Sequence, residues 1–550
     1  MSARPERDGW SLVLWSGWAL AALLVVYPLG AVLLASARDA QGAPTLEHWR
    51  AVALDPTCRA AVGRSLVVAS LAALGALLLG LPLALCVARQ RVPGRRALTV
   101  LALLTLVSPP FVGAYAWILL LGEQGLLRGL LRAAGLDPPT IYGPGGVVLV
   151  LALQHYPYVF LLASAGLSAV DRSLEEAAES LGATPLRRLW RVTLPLVAPS
   201  LAAGTLLAFT GALANFGTPM VLASEWRVLP TLTYDLYTSE VARDPGRAAA
   251  LGLVLVLLAA AGLWLERLVA ARRRVHGSLL RRAPLRALEG GRRVWVPALA
   301  WGIVALGALP LLTVAFCSLR ATRGPVFQPG LALTSYRTVL REAPRALTNS
   351  LLYALAAALL IALLGALLGY LLARRPSRPA RALDATLMVP YVLPGTVLGI
   401  GFLLAFHRLG LTGTGAILIL AGLVRRLPSA VRGSQAILHQ VDPALEDAAR
   451  SLGAPPGRAF LRVTLPLMAP GVLAGALLGW VSVVNELSAA LLLYTGSTIT
   501  TPVLIYQRVL DGSYGPAAAL STLLLLATGL TLYAALQLTD REAAESSALG

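Results

Sequence analysis

The chain has 550 residues, of which 57% are hydrophobic and 13% charged, and its mean hydropathy is +0.72. A soluble fold of this length needs far more polar surface to cover its core, so the composition excludes an ordinary water-soluble protein. The net charge of +19 is carried without a single lysine, a pattern read most simply as codon bias, and it excludes a Walker A phosphate loop and any Schiff-base or general-base lysine.

In chain order, Arg4 and Arg7 precede an apolar run over 11–35. That run is too long for the hydrophobic region of a signal peptide and shows no clear cleavage site, so it is predicted to be retained as a first span, 11–36. A helix needs about 20 apolar residues to cross roughly 30 Å of hydrocarbon. Such runs recur at 63–88, 98–121, 146–169, 200–222 and 248–270. A linker over 271–293 carries arginines at 272, 273, 274, 281, 282, 286, 292 and 293 against one acid, Glu289. Further runs lie at 294–318, 349–373, 383–406, 415–438, 470–494 and 516–537. The expectation is an all-α, polytopic membrane protein with about 12 spans. An even number puts both termini on one side, together with the linker, "ARQRVPGRR" (88–96) and "ARRPSRPAR" (373–381). Arginine-rich loops mark that side as cytoplasmic. Arginines set between apolar runs point to loops at a membrane and to lipid as a neighbour; nucleic acid is not an expected partner.

The two halves, 1–270 and 294–550, read as tandem six-helix domains. "GRSLVVASL" (63–71) resembles "TNSLLYALA" (348–356), and "LPTLTYDLY" (229–237) matches "TPVLIYQRV" (501–509). With six spans each, the repeats run parallel about an axis along the membrane normal. The strongest echo is polar: "LEEAAESLGATPLRRLWRVTLPL" (174–196) returns 271 residues later as "LEDAARSLGAPPGRAFLRVTLPL" (445–467). Asp171 and Asp442 are predicted N-caps, with Pro443 at the first helical position. Gly182 and Gly453 are predicted left-handed C-caps. Thr184-Pro185 and Pro455-Pro456 start a second short helix, which Pro195 and Pro466 end by redirecting the chain into the next span. The product is a helix–turn–helix elbow, and its four alanines, Ala177, Ala178, Ala448 and Ala449, leave a low surface that another protein can approach.

Glu176-Ala177-Ala178…Gly182…Val192-Thr193-Leu194-Pro195 and Asp447-Ala448-Ala449…Gly453…Val463-Thr464-Leu465-Pro466 resemble the signature of permeases of binding-protein-dependent ABC importers. Asp447 departs from the usual glutamate and shortens the reach of the charge. Phrases such as "LANFGTPMVL" (213–222) and "VVNELSAALLL" (483–493) are similar to the ferric-iron branch, whose permeases fuse two repeats. The resemblance implies the type I importer permease fold in a bacterial inner membrane. It implies an ABC ATPase homodimer beneath the elbows, a periplasmic solute-binding protein that delivers cargo, and alternating access driven by ATP that the partner hydrolyses. No cofactor is bound by this chain, and no catalytic residue is expected. Glu175, Glu176, Ala177, Ala178, Gly182 and Pro195, with Glu446, Asp447, Ala448, Ala449, Gly453 and Pro466, are then the ATPase-coupling residues. Related permeases carry thiamine, polyamines, phosphonates or sulfate, and these remain alternative cargoes. An ion-coupled secondary transporter is the rival from another class; it lacks the doubled elbow.

Polar groups inside predicted spans are the candidates for a substrate path, because each is costly in hydrocarbon. They are Gln154, His155 and Asn215 in the first half, and Arg425, Arg426, Asn485 and Glu486 in the second. Asn215 is aligned approximately with Asn485. The competing reading is an Arg–Glu pair that only holds helices together. Cys58, Cys86 and Cys317 are scattered and odd in number, and the histidines at 48, 155, 276, 407 and 439 show no ligand spacing, so no metal site is expected.

Overall fold

The computed structural model describes residues 9–271 and 287–548, apart from 40, 124, 137 and 242. Arg4, Arg7, His276 and most of the 271–293 linker lie outside the described residues. The described residues are helical almost throughout, with one small antiparallel hairpin among them, Arg320–Arg323 with Val326–Leu331. Among the described residues ten helices are long and apolar enough to cross a membrane, and a pair bent by 113°, Arg378–Val392 with Gly395–Leu409, adds an eleventh. The Gly415–Leu438 helix has 24 residues, about 36 Å at 1.5 Å per residue. It is long enough to cross, but Arg425, Arg426 and Arg432 keep it from being apolar enough, so the described residues hold ten or eleven apolar spans against the 12 expected.

Two predicted spans are broken by proline. The run 98–121 divides into Arg95–Val107 and Pro110–Leu121, and 383–406 bends at Pro394. Proline lacks the amide a continuous helix needs, and it drives the preceding residue out of the α region; Ser108 and Leu393 are accordingly extended. Two more predicted spans, 200–222 and 470–494, begin and end earlier than expected. Their helices stop at Leu213 and Val484, and short segments, Gly217–Leu222 and Ala490–Leu493, follow after a break. Asn215, Asn485 and Glu486 therefore lie in breaks, not inside continuous spans.

The described residues pack as two compact units. One gathers 49–271 and 287–335 with Val509–Thr522; the other gathers 9–48, Tyr336–Arg508 and 523–548. The boundaries of compact packing thus differ from the repeat boundaries at 270 and 294, because each repeat's first long helix is packed with the other repeat's helices. In the second-repeat unit, Trp10 packs tilted against Tyr370 with ring centroids 4.3 Å apart and edge-on against Phe460 at 5.2 Å, and a Cβ on Gly17 would press against Leu368 and Leu383. In the first-repeat unit, Trp301 Nε1 of the Arg292–Ser318 helix donates to the Pro93 carbonyl at 3.2 Å, and Gly307 of that helix faces the buried Tyr156 ring.

Inside each unit the central helices meet through small residues. A Cβ on Gly80 would stand 2.7 Å from the Tyr156 carbonyl oxygen, and one on Gly475 would stand 2.6 Å from Ala430 Cα. Lipid is as apolar as leucine, so close backbone packing drives helix association in a membrane, and these contacts set the core of each unit.

Candidate functional site

The polar echo folds twice into the same object. Asp171 caps the Arg172–Ser180 helix by accepting from the Ser173 amide at 2.9 Å, and Asp442 accepts from the Ala444 amide at 2.9 Å ahead of the Ala444–Ser451 helix. The Ser173 amide holds the Asp171 carboxyl below the ordinary aspartate range. Gly182 (φ 78°) and Gly453 (φ 87°) end the helices in the left-handed region. The residues after them close the cap, with Ala183 N on Ala178 O at 3.0 Å and Ala454 N on Ala449 O at 3.1 Å.

Pro195 and Pro466 do not end the second helix, as the sequence led us to expect. Helix continues from Pro185 to Leu213 and from Pro456 to Val484. The reason is a π turn in each copy, Leu189–Thr193 and Phe460–Thr464, in which the amides of Leu194 and Leu465 reach back five residues. The wider turn accommodates the proline ring without breaking the helix.

The two glutamates that open the motif point inward. Glu175 pairs with Arg89 Nη2 at 2.9 Å and accepts from Thr193 Oγ1 at 2.9 Å. Glu446 accepts from the Tyr370 hydroxyl and from Thr464 Oγ1 at 3.3 Å. Arg374, at the register of Arg89, instead donates to the Val441 carbonyl at 2.7 Å. Glu175 and Glu446 thus tie each elbow to the end of a long helix and to the threonine of its own Val-Thr-Leu-Pro. The outward face carries Glu176, Ala177, Asp447 and Ala448, all exposed. Beside them stand Leu181 and Leu452, 88% and 90% exposed. Both copies thus hold out the same leucine as an apolar knob at the C-cap position.

The elbow fixes direction within the first-repeat unit. Arg89 ends the 34-residue Pro56–Arg89 helix at the elbow, so Asp55 at its start lies about 50 Å away on the opposite face. There Arg247 bridges Asp55 at 3.1 Å and Asp244 at 3.2 Å, and Arg227 pairs with Asp235, around a polar recess of about 390 Å³.

The predicted pathway residues separate by unit. In the first-repeat unit Gln154, His155 and Asn215 are buried; His155 Nδ1 lies 2.7 Å from the Leu151 carbonyl, and Asn215 Oδ1 accepts from the Thr218 amide at 3.0 Å. In the second-repeat unit Arg425 pairs with Glu486, whose Oε1 also accepts from the Ala489 amide at 3.1 Å. In each break a side-chain oxygen accepts from the amide three residues on, so Glu486, rather than Asn485, is the counterpart of Asn215. Arg425, Arg426 and Glu486 line a cavity of about 30 Å³ with Tyr353, Ser482 and Thr500. An arginine at mid-bilayer costs roughly 2.5–3.5 kcal/mol on insertion scales, and the carboxylate offsets part of that for the pair.

Sequence reasoning did not find Arg89, Tyr370, Thr193 and Thr464 as anchors, nor the two knob leucines. The leucines left one signal, their identity between the copies; Tyr370 left none, because its register partner is Leu85.

Residues 76–275 and 365–541 match the family described as "Binding-protein-dependent transport system inner membrane component". Over 439 residues the chain is 26% identical to the ferric transport system permease protein FbpB of Actinobacillus pleuropneumoniae, covering 78% of this chain. It spans less than two thirds of that relative's length, 63%. It is 24% identical over 466 residues to the Fe(3+)-transport system permease protein FbpB 2 of Haemophilus influenzae, with 84% of this chain and 86% of that one covered. The molybdenum transport system permease protein ModB of Mycobacterium tuberculosis is 36% identical over 206 residues, 37% of this chain and 77% of that one.

Proposed function

Because the chain belongs to the family of binding-protein-dependent transport system inner membrane components, we propose that it is the fused, two-repeat permease of an ATP-driven importer in a bacterial inner membrane. Its two elbows and both termini face the cytoplasm. A dimer of separate ATPase subunits holds one elbow in each subunit and moves them as ATP binds and is hydrolysed. A periplasmic solute-binding protein delivers cargo to the opposite face, where Asp55, Arg227 and Arg247 lie. The cargo is of the ferric class, the class named for relatives that align with most of the chain.

The doubled elbow is the observation that carries this reading. Two segments of different flanking sequence reach the same caps, the same π turn, the same inward glutamate and the same exposed leucine. The chain's own contribution is transmission: Glu175 and Glu446 make each elbow one rigid piece with a long helix, so a push on the knob becomes a tilt of the span.

The test is uptake by membranes that contain the ATPase and the binding protein. Glu176→Arg and Gly182→Trp are expected to abolish uptake and ATPase co-purification while the protein still inserts. Wild-type uptake and co-purification in both variants would overturn the reading.

A further inference from the structure

Register for register, the repeats differ in charge at three positions that lie in two neighbouring segments. The Pro144–Ala169 and Gly415–Leu438 helices share a proline 271 residues apart, Pro157 and Pro428. That spacing sets Gln154 against Arg425, His155 against Arg426, and Asn215 against Glu486. The chain after the break is fixed by matching bonds, Leu229 N on Ser65 Oγ and Thr501 N on Ser350 Oγ, both at 2.7 Å, which sets Val228 against Thr500. The first repeat therefore places two amides, an imidazole and a valine where the second places an ion pair, a second arginine and a hydroxyl.

A pair that only glued helices together would leave the walls of its cavity satisfied. These walls are not. Thr500, 8% exposed, buries an Oγ1 with no hydrogen-bond partner in the lining it shares with Arg425, Arg426 and Glu486. The start of the Gly395–Phe406 helix stands over the pair, so close that a Cβ on Gly395 would lie 2.9 Å from both Arg425 Nη1 and Glu486 Oε1. A helix start carries partial positive charge. Glu486 divides its oxygens, Oε2 on Arg425 and Oε1 on the Ala489 amide. It can give up the arginine and keep the amide.

We propose that Arg425, Arg426 and Thr500 form an anion-binding subsite present in the second repeat alone, where an oxygen-bearing anion displaces Glu486 from Arg425. The anion is a free oxyanion or the anionic shell of a chelated metal; both present the oxygens that arginine binds as a fork. That this anion is cargo rests on the importer reading above; the binding does not. A subsite in one repeat gives the pathway one binding step per cycle instead of two.

The experiment titrates sulfate, molybdate and ferric citrate, at constant chloride, onto the purified full chain in lipid nanodiscs. Wild type is expected to bind at least one of them. Glu486→Gln removes the competitor and should tighten binding several-fold. Arg426→Gln should weaken it tenfold or more, and Thr500→Val, the first repeat's residue, should weaken it by a smaller factor. Binding of sulfate or molybdate identifies a free oxyanion, and binding of ferric citrate alone identifies a chelate. No binding by wild type, tightening absent in Glu486→Gln, or unchanged binding in both Arg426→Gln and Thr500→Val overturns the subsite. The same preparation is tested for assembly with the ATPase. Assembly without anion binding defeats the subsite and leaves the importer reading standing; anion binding without assembly does the reverse.

Discussion

Glu175 and Glu446 occupy the same place in the two elbows and are held by different chemistry. The first has a guanidinium, Arg89, and the second a phenol, Tyr370, wedged between Trp10 and Phe460. The threonine is common to both. The fold demands an inward carboxylate at this position but leaves its partner open, provided that a donor reaches it from the end of the long helix. The cost of losing that donor should then differ between the repeats.

Arg89→Ala is expected to show the largest effect. It leaves Glu175, 12% exposed, as a nearly buried carboxylate with one hydroxyl for company, at a cost of about 3–5 kcal/mol. A lower thermal unfolding midpoint in detergent, with the elbow opening to protease, would show it. Tyr370→Phe removes one hydrogen bond to a charged group while keeping the ring contacts, and should cost about 1.5–3 kcal/mol. Equal losses for the two variants would erase the distinction between the anchors. The C-caps should behave alike: Gly182→Ala and Gly453→Ala each force a side chain into the left-handed region, at about 1 kcal/mol, and amide exchange of the two elbow helices should rise to the same extent. The smallest effect concerns acid. Asp171 has its carboxyl held low by the Ser173 amide, so its cap is complete above the ordinary aspartate pKa and is lost only as pH falls through the depressed folded value. The protection factor of the Ser173 amide, its exchange rate divided into the intrinsic rate at the same pH, should stay flat from neutral pH down to the ordinary aspartate range and fall below it.

Much of this was legible in the residues. Apolar run lengths located the helices, because a bilayer imposes one length on every span, and the repeated caps and glycines located the elbows, because those positions have few chemical solutions. Three features were not legible. Proline read as a stop at Pro195 and Pro466, and the π turns that admit it there depend on packing. The breaks at Asn215 and Glu486 sit in apolar runs that look continuous, so approximate alignment placed Asn215 against Asn485 and hid the exchange of amides for charges. The partners of Glu175 and Glu446 come from helices 86 and 76 residues away, and no local pattern announces them.

The central claim is that both elbows face the cytoplasm as knobs for a separate motor. Leu181→Cys and Leu452→Cys place single reactive thiols on the knobs of a full chain whose own cysteines are buried. A maleimide that cannot cross the membrane is predicted to label both in inverted vesicles, to leave both untouched in intact spheroplasts, and to be blocked at both by the bound ATPase. Labelling of either position from outside the cell would contradict the account.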